Sequence, residues 1–272
     1  MLVVVKPNGE PGVLKYKVWL EKECVLRNIE CHWFYTSGSF GQDVLAIKSR
    51  LIDVKTVVVI GGDGTLHLVA NAIAETDVAL AVLPAGTGND FSRQFNYNKQ
   101  HWQSLVFSES TTKVDLGKIN ERYFINMAGI GFNAAVVKDM NTFKSRHKLS
   151  YIISGIKQLF SFDKVSSNDV SLMAIFANGQ YFAAGLKVAP SAHVKSGHLV
   201  KLHFKASHLL SRIWSFALML IQQHEQSRFV SVETGTDFMI TENGLIIEAD
   251  GEIIGNTPAI IKCCPGALTI LL

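Results

Sequence analysis

Short apolar runs alternate with helix-period patterns along the first part of the chain. A β-branched run at residues 2–5 ends at Lys6-Pro7-Asn8-Gly9, which reads as a strand closed by a turn. Residues 13–27 space Val18, Leu20, Val25 and Leu26 among charges, the pattern of a surface helix. A second strand at 30–35 and a second helix at 43–51 follow, then a continuously apolar third strand at 56–60. Residues 66–74 form a third helix with Leu66, Val69, Ala70 and Ile73 on one face. A fourth strand at 78–83 completes a βαβαβαβ order, which predicts a doubly wound, mostly parallel sheet with helices on both faces.

From Val114 onward the rhythm changes. Residues 123–127, 170–176, 181–188, 199–204, 229–233, 238–241, 245–248, 259–262 and 268–271 read as short strands. Asn178-Gly179, Ser196-Gly197, Asn243-Gly244 and Asp250-Gly251 supply turns between them, because Asn-Gly and Asp-Gly pairs accept the positive φ of tight hairpins. Helices are expected at 149–160 and 209–223, the second apolar over most of its circumference and so expected to be mainly buried. The second part is therefore a mainly antiparallel β-sandwich domain, and the division falls at residues 1–117 and 118–272.

Composition narrows the class. A 272-residue chain of 30.0 kDa can bury roughly three quarters of its unfolded surface and needs no metal or disulfide staple. With 48% hydrophobic and 18% charged residues it is globular rather than disordered. Net charge is +3, and no helix-turn-helix pattern appears, so no nucleic-acid partner is expected. Cys24, Cys31, Cys263 and Cys264 show no zinc-site spacing and read as reduced thiols of a cytoplasmic protein. The first residues form a strand rather than a signal peptide, and no apolar run is long enough to span a bilayer.

Two glycine-rich turns each follow a buried strand: Gly61-Gly62-Asp63-Gly64-Thr65 and Pro84-Ala85-Gly86-Thr87-Gly88-Asn89-Asp90. In an open parallel sheet, loops at the carboxyl ends of strands form the ligand crevice. Glycines there let backbone N–H groups approach an anion, and helix N-termini aim positive partial charge at the same spot. Asp63 and Asp90 would repel a phosphate unless they hold Mg²⁺, a ribose or a nucleophile's proton; their plain structural reading is as helix N-caps. No Walker A sequence occurs. Gly129-Ile130-Gly131-Phe132-Asn133-Ala134 matches GxGxxA but lacks the acidic partner of a dinucleotide site, so that reading is rejected.

GGDGT followed by LPAGTGNDF resembles the diacylglycerol kinase catalytic family, which includes bacterial lipid kinases and sphingosine kinases. The resemblance continues in order through Val114-Asp115-Leu116-Gly117, Tyr123-Phe124-Ile125-Asn126, Ala128-Gly129-Ile130-Gly131-Phe132, Asp250-Gly251-Glu252 and Pro265-Gly266-Ala267-Leu268. GGDGT also occurs in NAD kinases; GTGNDF together with the late DGE points to the lipid kinases. The resemblance implies a two-domain, NAD-kinase-like kinase with ATP and Mg²⁺ as cofactors and ATP in the cleft between domains. It assigns Gly61, Gly62, Asp63, Gly64, Thr65, Leu66 and His67 to the nucleotide phosphates. Thr36, Thr87, Gly88 and Asn89 join them as further ATP contacts. Asp90 and Asp115 belong to its polar active-site network. Glu252 is its proton acceptor, with Asp250 beside it.

Where the family has Asn-Pro and Ser-Gly after the opening strand, this chain has Lys6-Pro7-Asn8-Gly9-Glu10-Pro11-Gly12, with Lys15 and Lys17 as candidate phosphate cations. Residues 193–198 contain no carboxylate where bacterial relatives bind a structural Mg²⁺, so no structural metal is expected. The resemblance implies a membrane lipid substrate, with diacylglycerol the default and a sphingoid base or phosphatidylglycerol as alternatives. Peripheral contact at the inner membrane face follows, through the basic stretch holding Lys138, Lys144, Arg146 and Lys148. Exposed sheet edges leave room for a homodimer that nothing in the sequence specifies. Two other readings stay open: a soluble-substrate kinase of the NAD-kinase type, and a non-catalytic nucleotide-binding protein that retains the fold.

Overall fold

Consecutive valines make the first and third apolar runs fit a sheet buried on both faces: Leu2–Val5 (β1) and Thr56–Gly61 (β3) are neighbouring parallel strands, with Val4 opposite Val59. The computed structural model describes residues 1–7, 10–140, 148–161, 172–205 and 208–272. Between and after those strands come Pro11–Leu26 (α1), His32–Tyr35 (β2), Phe40–Lys48 (α2), Asp63–Ile73 (α3), Ala79–Pro84 (β4), Asp90–Arg93 (α4) and Lys99–Leu105 (α5). The chain continues through Thr111–Ile119 (β5), Arg122–Phe124 (β6), Met127–Gly131 (β7), Phe132–Met140 (α6), Lys148–Ser161 (α7), Met173–Ala177 (β8), Tyr181–Phe182 (β9), Leu186–Lys187 (β10) and Leu199–Phe204 (β11). It closes with Leu209–Leu220 (α8), Val230–Gly235 (β12), Asp237–Ile240 (β13), Ile246–Ala249 (β14), Glu252–Asn256 (β15) and Ala259–Leu271 (β16).

Two compact units result: residues 1–114 with 266–272, and residues 115–265. In the first unit the parallel order is β2-β1-β3-β4, and the end of β16 adds beside β4, with Thr269 opposite Ala79. The last seven residues thus return to the first unit, a connection that a division at residue 117 does not express. One face of this sheet packs Val3, Val5, Val58, Ile60 and Leu83 against Val13, Tyr16 and Leu20 of α1. Helix α3 is buried from Thr65 to Ile73 without interruption. The sequence gives it one apolar face, but its small and apolar residues pack on every side.

In the second unit, six strands in the order β12-β11-β8-β7-β14-β15 form an antiparallel sheet. Strand alternation splits its side chains: Ala174 and Phe176 of β8 join one core with Phe124, Phe238, Ile240, Ala259 and Ile261 from β6, β13 and β16. Met173, Ile175 and Ala177 face a second core with Phe132 and Val136 of α6. This is the sheet-on-sheet arrangement expected for the second domain, with helices on the outer face.

Three expectations need correcting. Residues 123–127 are not one strand: β6 ends at Phe124 and β7 begins at Met127, because the amides of Ile125 and Asn126 are taken by a side chain rather than a neighbouring strand. Residues 209–221 are not mainly buried: in α8 only Arg212 and Ser215 are, with Phe216 and Met219 packed partly against the core. A stripe at 212, 215, 216 and 219 occupies one side of a helix, so Leu210, Trp214 and Ile221 on the others are exposed, at 81%, 59% and 61%. Finally, the four cysteines are not all thiols, since Cys24 on the last turn of α1 is joined to Cys31 before β2 as a disulfide. The expected start of the strand at residues 170–171, Asn8 and Gly9 of the first loop, and Lys144 and Arg146 lie outside the described residues.

Candidate active site

In the first unit, parallel strands bring the sequence-predicted loops to a common edge. Thr36 follows β2 and donates its amide to the Val5 carbonyl at 3.0 Å; the next turn is fastened by buried Asp43, which accepts from the amides of Ser37 and Gly38. The two glycine loops meet backbone to backbone. A Cβ on Gly86 would lie 2.4 Å from the Gly62 Cα, so neither position has room for a side chain. Asp63 crosses between the loops, its Oδ1 accepting the Phe91 amide at 3.3 Å. Asn89, in the left-handed region at φ 51°, closes its own loop: its Oδ1 accepts from the Gly86 amide and its Nδ2 donates to the Gly86 carbonyl.

This edge has the chemistry of an anion site. Helix α3 starts at Asp63, with Gly62 as its cap, so its first amides have no carbonyl four residues back. Gly64 is exposed, and a Cβ there would meet nothing within 4 Å, leaving open space over those amides. Thr87 is also exposed, while Asp90 is buried with Arg93 Nε 4.0 Å away. Leu66 and His67 lie inside the fold, at 3% and 1% exposure, with the His67 ring against Phe40. The loop surface therefore ends at Thr65, whose side chain covers Gly61.

In the second unit, Asp250 sits at φ 46° on the tight turn between β14 and β15. Its carboxylate accepts from the amides of Ile125, Asn126 and Met127 at 2.7, 2.9 and 3.2 Å. Asp250 is thus the pin of this turn, and Glu252, exposed one residue beyond Gly251, is the acid it presents. Partial burial lowers the Arg122 guanidinium below its ordinary value, and the negative charge of Glu252 opposes this. Asp115, buried at the middle of β5, accepts from the Gly197 amide at 2.7 Å. Asn178 Nδ2 donates to the carbonyls of Asp115 and Ile125, both at 2.8 Å. Asp115 and Asp250 accordingly share one network, built through Ile125 and Asn178.

The sequence missed Asn126, Asn178, Asn133 and Glu248 in this network. Asn178 carried only a turn signal, although its buried Oδ1, like that of Asn126, has no hydrogen-bond partner among the described residues. Glu248 lies between apolar neighbours on β14 and is wholly buried. Burial pushes its carboxyl up to about 8, against the pull of the Gly251 amide, and the charges of Asp250 and Glu252 add to the rise. An isolated acid within a strand pattern gave no such warning.

Comparison with known proteins matches both parts of the chain. The family model for the diacylglycerol kinase catalytic domain matches residues 1–119, and that for the YegS C-terminal NAD kinase beta sandwich-like domain matches residues 126–272. YtlR of Bacillus subtilis (strain 168) is 28% identical over 289 residues, covering 93% of this chain and 94% of that protein. A diacylglycerol kinase of Mycobacterium tuberculosis (strain ATCC 25618 / H37Rv) is 27% identical over 234 residues, covering 79% and 76%. A crystal structure of a diacylglycerol kinase from Bacillus anthracis str. Sterne shares the fold, with a TM-score of 0.71 at 20% identity over 99% of this chain and 95% of that one. With both family models matched in order over nearly its whole length, the chain belongs to the diacylglycerol kinase family of transferases.

Proposed function

We propose that this protein transfers the γ-phosphoryl group of ATP to the hydroxyl of a membrane lipid, with diacylglycerol the first substrate to test. The observation that carries the reading is the backbone contact of Gly62 with Gly86 beside the open face at Gly64. It sets the start of α3 beside open space, with no side chain where a phosphate chain would lie. Phosphoryl transfer asks mostly for positioning and neutralisation of charge. Gly62, Gly64, Thr65 and Thr87 hold the phosphates in this reading. Glu252 takes the proton of the lipid hydroxyl as its oxygen attacks phosphorus. Asp250 spends its carboxylate on backbone amides and keeps the turn of Glu252 in place.

Mg²⁺, when bound, supplies further neutralisation of the phosphates. Asp63 and Asp90 beside the loops offer the carboxylate oxygens that it prefers. No group of three or more His, Cys, Asp or Glu is set to hold a metal among the described residues. That donor set fits an ion held by one or two carboxylates together with the nucleotide.

The same reading has the protein working at an anionic bilayer on the cytoplasmic side. No helix is long and apolar enough to cross a membrane among the described residues. Helix α8, however, exposes Leu210 and Trp214, with Ile221 exposed just after its end, and carries no acidic residue. Beside it lies a groove of about 990 Å³ lined by Leu210, Trp214, Leu218 and Phe229, with His208 and Arg228 at hand and no carboxylate. Apolar side chains with basic neighbours suit an anionic leaflet, where each cation contributes ~1 kcal/mol.

Labelled ATP offered with diacylglycerol, a sphingoid base, phosphatidylglycerol and NAD tests the function. Transfer to one lipid, abolished in Glu252→Gln, is expected. ATP binding without turnover would identify a non-catalytic relative, and transfer to NAD alone a soluble-substrate kinase.

A further inference from the structure

The turn that presents Glu252 is held from behind by a second acid that the proposed mechanism does not use. Glu248 is wholly buried on β14. Its Oε2 accepts the Gly251 amide at 3.0 Å, and its Oε1 meets Asn133 Nδ2 at 2.9 Å. Asn133 stands at the start of α6 and lies directly over Gly129 of β7: a Cβ on Gly129 would come within 1.6 Å of Asn133 Nδ2. Gly129 is in turn the residue opposite Glu248 in the β7–β14 ladder. A missing side chain on one strand thus opens the space through which a helix amide reaches an acid on the next.

The ladder alone does not fix this turn. Between Ile247 and Glu248 the β14–β15 register shifts, so that Ile247 faces Gly255 while Glu248 faces Ile253. Backbone pairing at such an irregularity defines the strand less firmly than an unbroken ladder. Side-chain bonds to the turn make up the difference. Asp250 binds the amides of 125–127 on one side, and Glu248 binds the Gly251 amide on the other.

We propose that Glu248 is a positioning residue that, with Asn133, holds the Asp250-Gly251-Glu252 turn in the geometry its exposed acid needs. The inference rests on the reading of Glu252 as the proton acceptor. The acid acts in its neutral form. No cationic side chain pairs with it among the described residues, and Asn133 Oδ1 is a buried acceptor without a donor. Turning the Asn133 amide over lets a protonated Glu248 donate to Asn133 Oδ1 while still accepting from Gly251, so that both Glu248 oxygens keep a partner.

Purified full-length Glu248→Ala, Glu248→Gln and Asn133→Ala, compared with wild type in lipid phosphorylation, test the proposal. Glu248→Ala and Asn133→Ala are expected to lower kcat by about 10-fold or more while KM for ATP and lipid stays within about 2-fold, since only the proton acceptor is displaced. Glu248→Gln, which can donate to Asn133 and accept from Gly251, is expected to recover most of that loss. Equal loss in Glu248→Gln and Glu248→Ala, undiminished kcat in Glu248→Ala, or parallel changes in KM would overturn it. Hydrogen exchange at the Gly251 amide reads the device without turnover. Exchange about 10-fold faster in Glu248→Ala, and near wild type in Glu248→Gln, is expected. Unchanged exchange in Glu248→Ala sinks the proposal whether or not the wild type phosphorylates any lipid, whereas protected exchange with an inactive wild type removes only the kinase reading.

Discussion

Gly86 and Gly64 stand in one loop pair and fail differently when given a methyl group. At Gly86 the methyl would meet the Gly62 backbone at 2.4 Å, which cannot yield as a flexible side chain would; at Gly64 it meets nothing within 4 Å. Gly86→Ala is therefore expected to part the loops and lower phosphoryl transfer by about 100-fold or more, through lost positioning. Gly64→Ala should keep or raise Tm, because alanine favours the helix it enters, yet weaken ATP binding by filling the open face; calorimetry and melting curves separate the two. Glu248 gives a prediction in pH. Its carboxyl is raised to about 8 in the fold from an ordinary 4.5, so between those values the folded chain holds a proton that the unfolded chain has lost. Its contribution is fully present below about pH 4.5 and falls by roughly 1.4 kcal/mol per pH unit until about pH 8. Denaturant unfolding of Glu248→Gln, measured across that window, should lack this slope. The loop residues were legible in the sequence because glycine at a strand end has a physical cause there. The buried asparagines and Glu248 were not, because their meaning lies in partners far along the chain, 53 and 63 positions away for Asn178 and 115 for the bond from Asn133 to Glu248.

Helices and strands were legible where one periodicity ruled. The parallel strands β1, β3 and β4 fall where their apolar runs predict, within a residue or so at each end. Helices α4 and α5 were missed because four and seven residues are too few to show a helical period. The break between β6 and β7 was hidden because the Asp250 carboxylate that causes it comes from far along the chain. Helix α8 was recognised but its environment was misread: its sequence is apolar, yet only a narrow stripe finds a partner. If that unpartnered side meets an anionic bilayer, Leu210→Ser with Trp214→Ser should cut flotation with phosphatidylglycerol vesicles several-fold. Phosphorylation of a short-chain lipid dispersed in detergent should be untouched. Equal flotation of the variant and the wild type would remove α8 from the account of membrane contact.

At the scale of the molecule, the sequence announced a parallel α/β part and an antiparallel sandwich, and both are present. What it did not announce is that the chain comes back. Leu268, Ile270 and Leu271 at the end of β16 are 0%, 1% and 4% exposed, and Glu75 donates its amide to the Ala267 carbonyl at 2.7 Å. Burying three such side chains is worth roughly 5–9 kcal/mol, comparable with the whole stability of an ordinary domain, about 5–15 kcal/mol. Deleting residues 266–272 is therefore expected to unfold or aggregate the first unit, visible as loss of its melting transition, although the deletion leaves every glycine-loop residue in place.

The same returning strand orders events during synthesis. A ribosome makes the glycine-loop half first, but the strand that belongs beside β4 is encoded after the entire sandwich. Until translation has passed through that sandwich, the emerging sheet keeps a bare apolar edge, the kind of surface on which chaperones act and neighbouring nascent chains stick.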